Sequence, residues 1–139
     1  MSTRTLARFA VIVAVCTVVA TSSLLAHHSF TAEFDATKPV TLKGKITKML
    51  WTNPHGWLYI DVKGADGKVV NWALEFGAPY ALYKRGWRQK DLPVGADVTV
   101  EGWLAKDGSN TANAGKVSLA DGRQLFAGSS GGPGAGTDQ

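Results

Sequence analysis

From residue 40 onward the chain alternates apolar and polar positions. Val40, Leu42 and Ile46 share one side of residues 40–50, a period of two that predicts a half-buried strand with Gly44 at a bulge or sharp bend. Residues 57–63 set Leu58, Ile60 and Val62 against Trp57, Tyr59 and Asp61, a second strand. Gly64-Ala65-Asp66-Gly67 supplies hairpin residues, and residues 68–75 alternate again, with Val70, Trp72 and Leu74 opposite Val69, Asn71, Ala73 and Glu75. A short helix is predicted over 78–84. Pro79 suits a first turn, Tyr80 and Tyr83 share a face, and Gly86 stands where a left-handed cap belongs. Residues 91–95 are a turn, and Val98 and Val100 alternate with Asp97, Thr99 and Glu101 in a fourth strand over 96–104. After the polar turn 106–110, a fifth strand over 116–119 and a last hairpin arm over 123–126 complete the pattern.

Three strands, a helix and two further strands follow the order of an all-β fold with one short helix. The expected architecture is a five-stranded OB-like Greek-key barrel, the helix lying between strands three and four. Another small β-barrel or a sandwich is the alternative. No internal repeat is visible.

The first 26 residues have a different character. Arg4 and Arg8 precede an apolar run over 9–20, then a short polar stretch and Ala26, the layout of a secretory signal peptide. The run is shorter than the roughly 20 residues a membrane span needs, so a membrane is expected to be met only through the uncleaved segment. Cleavage after Ala26 gives a domain over 27–127; cleavage after Ser23 is the competing site. Cys16 is the only cysteine and follows Val15 rather than the small residue that lipidation requires. It leaves with the leader, so no disulfide, thiolate site or Cys nucleophile is expected in the mature protein. Residues 128–139 are mostly Gly, Ser and Pro, which predicts a disordered tail.

The 139 residues are 45% hydrophobic and 19% charged, the composition of one small globular domain. Loss of Arg4 and Arg8 lowers the net charge from +4 to +2. That charge, with export to the periplasm or beyond, excludes nucleic acid as a partner.

Several segments carry a family resemblance: His27-His28-Ser29-Phe30, Lys38 to Gly44 (KPVTLKG), Trp51-Thr52-Asn53-Pro54-His55, Arg85-Gly86-Trp87 and Lys106 to Asn110 (KDGSN). Through them the chain resembles a family of short exported bacterial proteins filed as a domain of unknown function, DUF6152. The resemblance implies an exported, compact β domain beginning near a double histidine. It implies no activity, ligand or catalytic residue.

All three histidines lie in the expected mature chain. A processed N-terminus at His27 would offer its α-amine and ring nitrogen to one metal ion, and His28 or His55 a further imidazole. Such nitrogen donors suit Cu(II). His55 sits between Pro54 and Gly56, with Asn53 able to hold the turn through its side chain. The plainer reading makes His27 and His28 part of a mobile terminus and has His55 bonding within its own loop.

Trp51, Asn53, Trp57, Tyr59 and Trp103 form a candidate ligand or partner surface, since Trp57, Tyr59 and Trp103 point away from the barrel interior. Such aromatics serve to stack sugars, peptides or a protein partner. The competing reading has residues 30–35 fold over them, with Phe30 or Phe34 supplying the contact. Lys84, Arg85, Arg88 and Lys90, with Trp87 among them, are the densest basic stretch, read as cations at a helix C-terminus. Carboxylates worth pairing are few: Glu33 with Asp35, and Glu75 with Glu101. Within residues 27–127 no strained Gly-x-Ser-x-Gly turn and no phosphate-cradling Gly loop is present, so no catalytic residue is assigned and an enzyme is not expected. The function expected is that of an exported binding or accessory protein, with copper as the candidate cofactor. A metal-free envelope scaffold, its partner an unknown envelope protein, is the alternative.

Overall fold

The computed structural model of the protein describes residues 30–128 together with 132 and 133. The expected signal peptide, His27, His28 and most of the Gly-rich tail lie outside the described residues. The fold is mostly β. It comprises α1 (Phe30–Glu33), β1 (Phe34–Leu50), β2 (Trp57–Lys63), β3 (Val69–Glu75), α2 (Pro79–Lys84), a 3-10 turn (Gln89–Asp91), β4 (Asp97–Ala105), β5 (Thr111–Leu119) and β6 (Gln124–Phe126). Two short helices are present where the periodicity predicts one; four residues are too few for α1 to leave a periodic trace.

The sheet order is β3-β2-β1-β4-β5-β6, with a further parallel pairing of β3 to β5 over Ala73 to Glu75 and Thr111 to Asn113. The other ladders are antiparallel. β1 is 17 residues long because it serves two neighbours. Its first part pairs with β4 and its second with β2, and Lys45 faces Asp97 on one side and Asp61 on the other. Gly44 stands at this handover, where a Cβ would collide with the Asp61 carbonyl oxygen. Glycine here permits close approach of two backbones. The bulge expected at Gly44 falls instead between Ile46 and Lys48.

Leu42, Ile46, Leu58, Ile60, Leu74, Phe76, Val98, Val100, Ala112, Ala114 and Val117 fill the core. α2 closes one side of it through Leu82 and Trp87, both fully buried. The Trp87 indole N–H donates to the Phe126 carbonyl at 2.9 Å, and Gly86 adopts φ +95° as the left-handed cap.

The predicted fifth strand covers only the end of the real one. The first half of β5, Thr-Ala-Asn-Ala-Gly, lacks the β-branched run that marks a strand. Small residues are needed there: a Cβ on Gly115 would stand 2.7 Å from the Trp103 ring, and one on Gly102 would strike the Asn113 carbonyl oxygen.

Candidate functional site

One row of residues crosses the sheet at the end where β2 begins and β3 ends. Register places Leu50 beside Trp57, Trp57 beside Glu75, Glu75 beside Asn113, Asn113 beside Trp103, and Trp103 beside Pro39. Residues side by side across strands share a face. The neighbouring row, Leu58, Leu74 and Ala112, is core, so this row points away from it. Glu75 and Asn113 are nevertheless buried, at 4% and 0% exposure.

The cover is α1. The Phe30 ring lies 5.7 Å from the Trp103 ring, edge-on at 87°, and 5.7 Å from Phe34. Lys106 fastens the helix from the β4–β5 turn: its backbone N–H donates to the Glu33 carbonyl at 2.9 Å, and its ammonium donates to the Thr31 carbonyl. Between α1 and that turn lies a cleft of about 480 Å³, with Glu33, Trp57, Asp107, Ser109 and Thr111 on its walls.

His55 comes down onto this row from the β1–β2 loop. The loop is pinned where it rejoins the sheet: Gly56 N–H donates to the Gly77 carbonyl at 3.1 Å, and Phe76 N–H to the Gly56 carbonyl at 2.8 Å. Asn53, expected to hold the turn, is exposed, and its peptide bond to Pro54 is cis. His55 thus reaches Glu75 with Nδ1 2.8 Å from Oε1, its side chain 25% exposed. Burial first, and the negative charge of Glu33 second, push the Glu75 carboxyl from the usual 4.5 up to about 7. A buried carboxyl on an imidazole at this distance fixes the ring's orientation and lets one proton be shared between them.

The other candidates divide. Trp51 is half-buried and packs against the hydrophobic core. Trp57 and Tyr59 are half-buried on the outer face, with the Lys48 ammonium 5.5 Å from the Tyr59 ring centroid. Trp103 is under Phe30, as the competing reading of residues 30–35 had it. Glu101 is not the neighbour of Glu75; it pairs with Lys116 at 2.7 Å, and the carboxylate that influences Glu75 is Glu33. Among the described residues no group of three or more His, Cys, Asp or Glu is placed to hold a metal. Nor is any described helix long and apolar enough to cross a membrane.

The role of Glu75 was not visible in the sequence, where alternation assigns it to the outer face. The one available signal was a carboxylate flanked by Leu74 and Phe76. A sequence model described as "Family of unknown function (DUF6152)" matches residues 14–114. No curated protein and no solved structure matches the chain.

Proposed function

For this chain, which belongs to the DUF6152 family, we propose the role of an exported metal-binding accessory protein that takes up copper at the His55–Glu75 corner. The observation that carries the reading is His55 Nδ1 held 2.8 Å from the buried Glu75 carboxyl oxygen Oε1, where its N–H donates to the carboxylate. Imidazoles that ligate metals characteristically have their second nitrogen held by a carboxylate, which orients the ring and raises its basicity. A metal taken up by His55 would be ligated through Nε2, the ring nitrogen opposite that bond.

His27 and His28 supply the remaining nitrogens. α1 is anchored on the same row as Glu75, and His27 precedes Phe30 by three residues, a reach of roughly 10 Å of extended chain. An N-terminus at His27 adds its α-amine, and Cu(II), near the top of the divalent affinity order for nitrogen ligands, is the ion such a set favours. The domain that carries the site is read as an OB-like barrel. The pairings β1–β2, β2–β3, β3–β5, β5–β4 and β4–β1 support this by forming a ring, with α2 between β3 and β4. The leader-like first 26 residues support export to the periplasm. A metal-free scaffold role is the weaker reading, because the Phe30 ring packs edge-on against Trp103 and leaves less of it for a partner.

The test is Cu(II) titration of protein exported by its own leader, with its N-terminus verified at His27. Three variants stand beside it: one with an extra N-terminal alanine, His55→Ala and Glu75→Gln. Tight binding is expected for the parent, lost in the first two variants and weakened about 10- to 100-fold in Glu75→Gln. Equal affinity in all four proteins would overturn the reading.

A further inference from the structure

A second surface lies on α2, independent of the metal site. Residues 76–90 contain four cations, Lys84, Arg85, Arg88 and Lys90, and no acid. The next acid, Asp91, is turned inward, its side chain 9% exposed. Its carboxylate accepts the Arg88 N–H at 2.7 Å and pairs with Arg123 at 3.1 Å. Residues 76–90 themselves therefore carry only positive charge.

Two large rings stand among these cations. Tyr80 is 71% exposed and Tyr83 56%, a cost in apolar hydration that the core does not require, since Leu82 and Trp87 already fill the inner side of this segment. The Arg88 guanidinium lies 3.9 Å from the Tyr83 ring centroid and the Lys84 ammonium 5.4 Å from that of Tyr80. Beside them a cleft of about 410 Å³ is walled by Lys84, Arg85, Gln124, Leu125 and Phe126. In it the Arg85 guanidinium is held over the Phe126 ring at 4.7 Å and donates to the Gly128 carbonyl at 2.9 Å.

We propose that α2 and the segment after it form a docking surface for an anionic phospholipid bilayer, with Tyr80 and Tyr83 at the headgroup level and Lys84 beside a cleft that seats a lipid phosphate. Tyrosine rings with a polar tip, next to Lys and Arg, match the bilayer interface, where an apolar ring body and a wet hydroxyl are both accommodated. Each Lys or Arg near an anionic bilayer surface strengthens binding about fivefold. The combination favours lipid over an acidic protein, because a bilayer presents a continuous anionic surface to all the cations together with an interfacial layer at the depth the two rings reach.

Co-sedimentation with vesicles tests this, comparing neutral phosphatidylcholine with phosphatidylcholine containing phosphatidylglycerol. The parent chain is set beside Lys84→Glu/Lys90→Glu, Tyr80→Ser/Tyr83→Ser and a control, Lys63→Glu/Lys68→Glu, of equal charge change elsewhere on the surface. All share one N-terminus, so any contribution from residues 1–29 cancels. Thermal melts confirm that each variant is folded. The parent is expected to prefer anionic vesicles, the Lys84/Lys90 pair to lose that preference by more than about tenfold, and the tyrosine pair to lose the part that survives high salt. The control keeps it. Equal binding to both vesicle types would overturn the proposal, as would an equal loss in the control. So would capture on immobilised polyglutamate without vesicle preference, which would indicate an acidic protein, or full release by millimolar inorganic phosphate, which would indicate a free-anion site.

Discussion

Glu75 is a carboxyl group at a position where strand alternation points outward, yet only 4% of it is exposed. Its ionisation is consequently tied to folding. With its proton held up to about 7 in the folded protein against 4.5 ordinarily, the folded state keeps a proton that the unfolded chain releases. Stability therefore falls as pH rises from the lower value through the higher, by about 3 kcal/mol at most. Chemical denaturation of metal-free protein across that range should show the fall, and Glu75→Gln should abolish it; a flat profile in the parent would contradict the burial assigned to this group. Asp35, Asp107 and Asp121 work on the acid side instead. Hydrogen bonds from Thr37, Ser109 and Arg123 hold them below their usual range, so any stability they add is lost only as pH falls further. At this scale the sequence was legible where side chains follow the pleat, as Leu58 and Ile60 do, and illegible at Glu75. The groups that act on it, His55 and Glu33, come from a loop and a helix distant in sequence, the helix held by Phe30 meeting Trp103, a contact between residues 73 positions apart.

At the scale of elements, the clearest strand in the sequence, residues 57–63, is found with the same limits as β2. Its alternation is complete and a hairpin fixes its end. β5 was only half legible because its first residues are chosen for closeness to β4 rather than for strand propensity, with Trp103 lying against Gly115. Gly44 follows the same logic. Gly44→Ala should destabilise the domain by about 1–3 kcal/mol through collision with the Asp61 carbonyl, measurable as a lower urea midpoint with unchanged slope. An unaffected midpoint would mean that β1 and β2 are not in close contact there. α1 can be tested separately from the sheet. Phe30→Ala should speed hydrogen exchange at the Lys106 amide, which the Glu33 carbonyl accepts, while leaving Ile60 and Val100 protected. It should also weaken the pH dependence of stability, since releasing α1 moves away the Glu33 charge that helps to raise the Glu75 carboxyl. If exchange accelerates equally throughout, α1 is part of the core rather than a cover on it.

For the molecule as a whole, the expectation of a β fold with a helix between the third and fourth strands agrees with the structure, because hairpin turns and α2 are punctuated by Gly and Pro. Where the N-terminal arm lies was legible only as the competing reading, from Phe30 and Phe34 needing an apolar partner and Trp103 being an outward ring that could supply one. The meeting of a loop histidine with a strand-end glutamate was not, because it depends on the fold of the β1–β2 loop. If copper binds the folded state alone, ion at about 100 times its dissociation constant should stabilise the protein by about 2.7 kcal/mol. In a domain of this size that raises the melting temperature by roughly 10–20 °C, and His55→Ala should remove the gain. The most direct measurement is electron paramagnetic resonance of the Cu(II) form with an N-terminus at His27. Nitrogen coupling from the α-amine and two or more imidazoles is predicted, with one imidazole lost in His55→Ala; a spectrum that His55→Ala leaves unchanged would contradict the account.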